Sequence, residues 1–185
     1  MLVYKVGKKV GNITSIGVTV SPTTHFAATF VWWLEKGVVH GLFVDSTPKH
    51  PKSESSPEVQ PKCPGGRSDE NETTEITALR ELKQETGLSV KRKIKLISVY
   101  RPRAKNGHLK EGFIIPRSGC RGALRTTPLI DTMSTLSVPY AISLDEALKK
   151  VFHNDRNKFH LNFLLSVRDY FVQKFGEESV GPAQA

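Results

Sequence analysis

Cysteine is scarce in this chain, and no long apolar segment occurs in it. Two cysteines, Cys63 and Cys120, stand among 185 residues, which is too few for a disulfide framework. The longest candidate apolar run, FAATFVWWL, covers nine residues, whereas a membrane-spanning helix needs about 18 to 20. The sequence therefore argues against a disulfide-stabilised domain and against an integral membrane protein, and we expect no membrane partner.

The first residues also lack the features of a secretory leader. MLVYKVGKKVGN carries basic residues but no apolar core and no small-residue cleavage site. Together with the scarcity of cysteine, this predicts a cytoplasmic protein. The length suits one hydrophobic core, so we predict a single domain over residues 1–175 and a disordered tail at 176–185.

Acidic residues are in the minority, and the imbalance is local. The formal net charge is +9, from 27 Lys and Arg against 18 Asp and Glu. Residues 91–125 contain eleven Lys and Arg and a single acid, Glu111, so this window carries +10 and the rest of the chain −1. Such a cluster attracts phosphates, nucleic acid or anionic membranes, although a solvated basic face has the same composition.

Hydrophobic patterning predicts a mixture of strands and helices. The predicted strands cover 13–22, 93–101, 111–117 and 138–143, with a hairpin over 26–46 that turns at Glu35-Lys36-Gly37. The predicted helices cover 73–86, 144–152 and 157–175. Residues 46–64 are rich in Pro, Ser and Lys, which predicts a flexible loop insertion. The expected fold class is α+β.

The helix predicted at 73–86 has clear sequence markers. Ile76, Leu79 and Leu82 recur at three-residue spacing and predict its buried stripe. Gly87 stands where a C-capping glycine belongs, because glycine adopts the left-handed backbone conformation that ends many helices.

The same helix carries residues that suggest chemistry. Glu81 and Glu85 are four residues apart and lie on one face, where two carboxylates repel each other unless a cation lies between them. Mg²⁺ or Mn²⁺ suits such a site, because hard cations prefer carboxylate oxygens. Gly65 and Gly66 allow a tight backbone approach just upstream, and Arg80 can pair with an acid. On spacing alone, a surface helix with solvated charges explains the pattern equally well.

The order of these residues resembles the signature of the Nudix hydrolases. That signature reads Gly, five residues, Glu, seven residues, Arg-Glu, an aliphatic residue, any residue, Glu-Glu, any residue, Gly and an aliphatic residue. The matching residues here are Gly66, Glu72, Arg80, Glu81, Leu82, Glu85, Gly87 and Leu88. The one mismatch is Gln84, which replaces the first of the paired glutamates.

The resemblance implies an α/β/α sandwich with a mixed β-sheet, in which the signature forms a loop–helix–loop. It implies metal-dependent hydrolysis of a diphosphate linkage in a nucleoside diphosphate derivative such as ADP-ribose or a sugar nucleotide, with Mg²⁺ or Mn²⁺ as cofactor and a possible homodimer. Glu81 and Glu85 would be the catalytic residues. The implied metal ligands are the Gly65 carbonyl, Glu81, Gln84 and Glu85. The implied structural residues are Gly66, Glu72, Arg80 and Gly87.

Gln84 alters what this site is expected to do. A glutamine offers a carbonyl oxygen but no charge and cannot act as a base, so metal affinity should fall. We expect an active but altered site. The alternative is a Nudix-fold nucleotide- or nucleic-acid-binding module that has lost catalysis. Glu111 and Asp131 are the downstream acids available to compensate, and each also fits an ordinary surface charge.

The basic window suggests where phosphates bind. Arg101, Arg103 and Lys105 flank or follow Pro102 and are the predicted substrate contacts. Because clustered cations also favour phosphate-rich polymers, hydrolysis of RNA 5′ ends is a second enzymatic hypothesis. Tyr100, Trp32 and Trp33 are able to stack on a base, but paired tryptophans in a strand more often belong to the core.

Overall fold

The computed structural model describes residues 24–48, 59–102, 108–130, 134–152 and 158–181. Its helices are α1 (Thr74–Thr86), α2 (Leu144–Phe152) and α3 (Lys158–Phe175). Its strands are β1 (Phe26–Glu35), β2 (Val38–Pro48), β3 (Gln60–Lys62), β4 (Gly65–Arg67), β5 (Ser89–Val90), β6 (Ile97–Tyr100), β7 (Lys110–Pro116), β8 (Cys120–Arg121), β9 (Leu129–Ile130), β10 (Ser134–Leu136) and β11 (Tyr140–Ser143). The strand predicted at 13–22 lies outside the described residues.

A mixed sheet forms the middle of the molecule. Its main strand order is β6-β7-β1-β2-β10-β9, with β4 on β1 and with β3 and β11 on β2. The β1–β7 pair is parallel, whereas the other pairs of this sheet are antiparallel. β1 and β2 form the predicted hairpin, and its turn residues Lys36 and Gly37 have φ of 50° and 84°. Positive φ at both positions is what a two-residue type I′ turn requires.

Helices cover both faces of this sheet. Successive residues of β1 point to opposite faces, so Phe30 packs with Phe163 and Phe171 of α3 while Val31 packs with Leu82 of α1. α2 belongs to the same layer as α3 through Leu144, Ala147 and Val151. This arrangement confirms the predicted α+β class and the α/β/α sandwich.

The buried face of α1 differs from the predicted stripe. Ile76 is 51% exposed and Leu79 is half-buried, so only Leu82 of the three is fully buried. The buried face instead runs through Ala78, Leu82 and Glu85. The three-residue spacing predicted the wrong buried face, because α1 is oriented about its axis so that Glu85 faces β4.

Two predicted irregular segments are partly ordered. The predicted loop 46–64 contributes its first residues to β2 and its later residues to β3 and β4, while residues 49–58 lie outside the described residues. In the predicted disordered tail, Glu177–Val180 form a 3₁₀ turn and Val180 is buried in the core beneath α3.

No helix among the described ranges is both long enough and apolar enough to cross a membrane.

Candidate functional site

Helix α1 begins and ends on specific side-chain and backbone contacts. Thr73 caps its start, with Oγ1 accepting a hydrogen bond from the Ile76 amide at 3.2 Å. Gly87 ends it at φ 85°, with its amide donating to the Lys83 carbonyl at 2.9 Å. A Cβ at Gly87 would lie 2.6 Å from the Ala123 carbonyl oxygen, so the position requires glycine for both conformation and space.

Arg80 braces the loop before α1 against the helix. Its Nε and Nη2 donate to the two carboxylate oxygens of Glu72 at 2.8 and 2.9 Å. Nη2 also donates to the Arg67 carbonyl at 2.7 Å, and Nη1 donates to Glu81 at 2.7 Å and to Gln84 Oε1 at 3.1 Å. One planar guanidinium therefore joins the loop, β4 and the helix, which no other side chain type can do.

The brace predicts an acid-sensitive contribution to stability. Hydrogen bonding to Arg80 lowers the pKa of Glu72 from 4.5 to about 2. A lowered folded-state pKa stabilises the protein above the unfolded value, and that stabilisation is lost as pH falls from 4.5 towards 2. We expect the difference in unfolding free energy between wild type and Glu72→Gln to shrink over this range in urea titrations. A matched Glu70→Gln control at an exposed position should show no such change; parallel curves for wild type and Glu72→Gln would contradict the assignment.

A second, more buried cluster joins Glu85 to the glycine pair. Glu85 is 4% exposed. Its Oε2 accepts from the Gly65 amide at 2.9 Å, and its Oε1 accepts from Lys62 Nζ at 2.6 Å. The same Nζ donates to the Gly65 carbonyl at 3.0 Å. Burial raises the pKa of the Glu85 carboxyl, while Lys62 and the Gly65 amide act in the opposite direction.

Glu81 lies beside this cluster and against the second glycine. A Cβ added at Gly66 would lie 2.4 Å from Glu81 Oε1, so glycine is what allows this carboxylate to approach the backbone of β4. Oε1 accepts from Arg80, whereas Oε2 accepts no hydrogen bond within the described part of the chain. Gln84, by contrast, is exposed, and its Oε1 is directed to Arg80.

These groups outline a place for a cation. Lys62 Nζ lies between the Gly65 carbonyl and Glu85, which are two of the ligands that the resemblance implies. The position is therefore shaped to hold a positive charge between oxygen atoms. Across the described ranges, no three His, Cys, Asp or Glu side chains come together as a metal-binding group. A divalent ion would depend on the backbone carbonyl and on only two carboxylates.

Glu111 does not supply the missing carboxylate. It is 6% exposed, and its two oxygens accept from Thr74 Oγ1 and Ser98 Oγ, each at 2.6 Å. The contact with Thr74 holds Glu111 at the first residue of α1, and the contact with Ser98 holds it on β6. Thr74 lies three helical turns before Glu85, so Glu111 is remote from the position between Glu85 and Gly65. Asp131, the other candidate, lies outside the described residues.

An open pocket of about 790 Å³ lies next to β4, the strand that contains Gly65 and Gly66. It includes Arg67, the last residue of β4, whose carbonyl is bonded to Arg80. Its aromatic lining residues are Phe26, Tyr100 and Phe159, and its basic ones are Arg67, Lys110 and Lys158.

Among the predicted substrate contacts, Arg101 is not part of this lining. Its side chain is 60% exposed, with Nε 3.8 Å from Glu111, while its neighbours Tyr100 and Pro102 do line the pocket. Arg103 and Lys105 lie outside the described residues. The tryptophans lie elsewhere, with Trp32 packed on Phe171 and Trp33 stacked on His40.

Two residues of the site were missed by sequence reasoning. Lys62 precedes Gly65 by three residues. In an extended segment, side chains alternate between the two faces, and this was the one sequence signal that could have placed Lys62 near the site. Arg125 donates from Nε and Nη2 to the Glu85 carbonyl at 3.1 and 2.9 Å, and from Nη2 to the Ser137 carbonyl at 2.7 Å. It holds the end of α1 in place, so part of the basic window serves the fold rather than a ligand.

Several solved structures of Nudix proteins and of hydrolases have folds similar to this one. The NUDIX domain of Shewanella oneidensis NrtR, solved with ADP ribose, shares 18% identity with a TM-score of 0.55, covering 82% of this chain and 90% of that one. A NUDIX hydrolase from Nitrosomonas europaea shares 16% identity with a TM-score of 0.56, covering 88% and 97%. An ADP compounds hydrolase shares 10% identity with a TM-score of 0.55, covering 95% of each chain.

No curated protein matches the chain in sequence. The sequence profile of the NUDIX domain, however, matches residues 25–128, which is more than half of the chain. The chain therefore belongs to the Nudix family, whose solved members include hydrolases.

Proposed function

We propose that this protein hydrolyses a diphosphate linkage in a nucleoside diphosphate derivative, of the ADP-ribose or sugar-nucleotide kind, with a divalent cation. The observation that carries the proposal is the position of Arg67. Its carbonyl accepts a hydrogen bond from Arg80 of the signature. The same residue, Arg67, also lines the pocket. A ligand that fills the pocket would direct its phosphates past Arg67 towards the acids of the signature.

The chemistry of the pocket fits such a ligand. Its volume of about 790 Å³ lies within the range of roughly 300 to 1,000 Å³ typical of small-molecule sites. Tyr100 and Phe159 offer aromatic surface for a base, and Lys110 and Lys158 offer positive charge for phosphate oxygens.

The residues around the proposed cation position have distinct roles in this proposal. Glu85 and the Gly65 carbonyl would hold the cation, at the position where Lys62 Nζ already makes contact with both. When bound, the cation neutralises the diphosphate and lowers the pKa of a coordinated water. Glu81 would orient the attacking water and accept its proton through Oε2, which accepts no hydrogen bond from the described residues. Arg80 holds Glu81 in position through the contact at 2.7 Å.

A substrate panel tests this proposal against its alternatives. Hydrolysis would be measured by chromatography of the products, with Mg²⁺ and with Mn²⁺, on ADP-ribose, nucleotide sugars, dinucleotides and 5′-triphosphorylated RNA. Turnover of the first three classes supports the proposal. Turnover confined to RNA would favour the second enzymatic hypothesis. Binding of nucleotides without turnover on any substrate would favour a binding module that has lost catalysis.

The pocket assignment predicts the effect of removing an aromatic ring. Tyr100→Leu should weaken binding of the preferred nucleotide by about tenfold, because stacking on a base contributes on the order of 1 to 3 kcal/mol. Tyr170→Leu is the matched control, since Tyr170 lies on α3 and packs against Phe171 outside the pocket lining. Isothermal titration calorimetry measures both, and equal affinities in the two variants would contradict the assignment.

A further inference from the structure

We propose that Lys62 is a built-in cation that takes the place of the divalent ion in the resting protein. The metal must displace its ammonium group, so this chain binds metal weakly until Lys62 moves. The inference rests on the proposed function only in taking Gly65 and Glu85 as the metal position.

The contacts of Lys62 are those of a bound cation. Its Nζ lies 2.6 Å from Glu85 Oε1 and 3.0 Å from the Gly65 carbonyl oxygen. The two side chains are 16% and 6% exposed, so this is not a solvent-separated surface pair. An ammonium donates to the same oxygen atoms that a hard divalent ion would coordinate. The two cations therefore compete for one position.

The sheet delivers Lys62 to this position. β3 pairs with β2, where Lys62 lies opposite Val44, and β4 pairs with β1, where Gly65 lies opposite Ala28. Between them, Cys63 is fully buried and the Pro64 carbonyl accepts from the Thr29 amide at 2.8 Å. The backbone on both sides of the cluster is thus held in the sheet. Only the flexible side chain of Lys62 is free to leave.

Gln84, which stands where the signature has a glutamate, favours Lys62 over a divalent ion in this competition. Glu81 and Glu85 contribute two negative charges and Lys62 one positive charge, so these three residues sum to −1. A glutamate in place of Gln84 would make the sum −2, but the amide is neutral and is bonded to Arg80. The attraction for a divalent ion is therefore small, whereas Lys62 already neutralises the buried Glu85 carboxylate. Without either cation, Glu85 would be buried and unpaired.

The test measures Mn²⁺ affinity in the absence of any nucleotide. Lys62→Met removes the charge but keeps an unbranched side chain of similar length. We expect its Mn²⁺ dissociation constant, from electron paramagnetic resonance of free Mn²⁺, to fall between about tenfold and a thousandfold below wild type, as a unit charge a few ångströms away implies. Mn²⁺ should also raise the Tm of this variant more than that of wild type, since it restores a partner to Glu85.

Two further variants make the result interpretable. Lys83→Met removes one positive charge from an exposed position on α1 and should leave Mn²⁺ affinity near the wild-type value. Lys62→Gln keeps a hydrogen-bond donor for Glu85 and serves if Lys62→Met does not fold; it should also tighten Mn²⁺ binding.

The competing explanation is that the missing carboxylate alone limits metal binding. In that case, Gln84→Glu would tighten Mn²⁺ binding while folded Lys62→Met or Lys62→Gln would leave it unchanged, and the proposal would be overturned. Wild-type affinity equal to that of the Lys62 variants would overturn it as well. Absence of hydrolysis on every diphosphate would defeat the proposed function but would leave these binding constants unaffected.

Discussion

Glu85→Gln is expected to lower kcat/KM on the preferred diphosphate by about a thousandfold, since losing several kcal/mol of metal-assisted stabilisation has that effect. The amide keeps an oxygen that can accept from Lys62 Nζ and so preserves much of the local structure. It removes the buried negative charge that would attract the divalent ion. The steady-state rate of nucleoside monophosphate formation with saturating Mg²⁺ or Mn²⁺ measures the effect.

The matched control for this change is Glu75→Gln. Glu75 lies exposed in the first turn of the same helix and should tolerate the substitution with little change in rate. Urea unfolding of each variant separates a loss of chemistry from a loss of folded protein. A folded Glu85→Gln variant with the wild-type rate would refute the role assigned to Glu85.

Arg80→Lys is expected to lower the free energy of unfolding by about 2 kcal/mol, in line with the loss of charge-assisted hydrogen bonds in a partly buried cluster, where the Arg80 side chain is 22% exposed. Lysine keeps the charge but cannot reach Glu72 through two parallel bonds and at the same time reach Glu81 and the Arg67 carbonyl. The loop before α1 and the helix should therefore lose their common brace, and activity should fall with them.

The same substitution at a surface pair provides the control. Arg168 contacts Glu177 through a single bond at 2.8 Å, and Glu177 is 66% exposed. Arg168→Lys should cost less than about 1 kcal/mol, because exposed ion pairs contribute little. Urea or thermal unfolding measures both variants, and equal losses at the two positions would contradict the special role of Arg80.

Local sequence signals predicted the parts of the site that depend on near neighbours in the chain. The helix was expected over 73–86 and spans Thr74–Thr86, so its start differs by one residue and its end matches. The spacing of Glu81 and Glu85 placed both on one side of α1, and the signature paired Arg80 with an acid. These features follow from helical geometry and from the backbone freedom of glycine, both of which are written into short segments.

The remaining features depend on residues that are far apart in the chain. Ile76 belongs to the expected apolar stripe but is exposed, because the sheet decides which side of α1 is buried. Tyr100 and Phe159 meet in one pocket although they are distant in sequence. Residues of the basic window similarly took different roles, with Arg125 holding the end of α1 and Lys110 lining the pocket.

The sequence by itself determined the family, the α+β class and the order of acids and glycines in the signature, because these are properties of local spacing. Only the tertiary structure decided what surrounds those acids. It pairs β3 with β2 and β4 with β1, which places the Lys62 ammonium 2.6 Å from Glu85. Charge at a site depends on distance in space rather than on separation along the chain. The glutamine at position 84 is visible in the sequence, whereas the lysine that joins Glu85 becomes visible only once the sheet has formed.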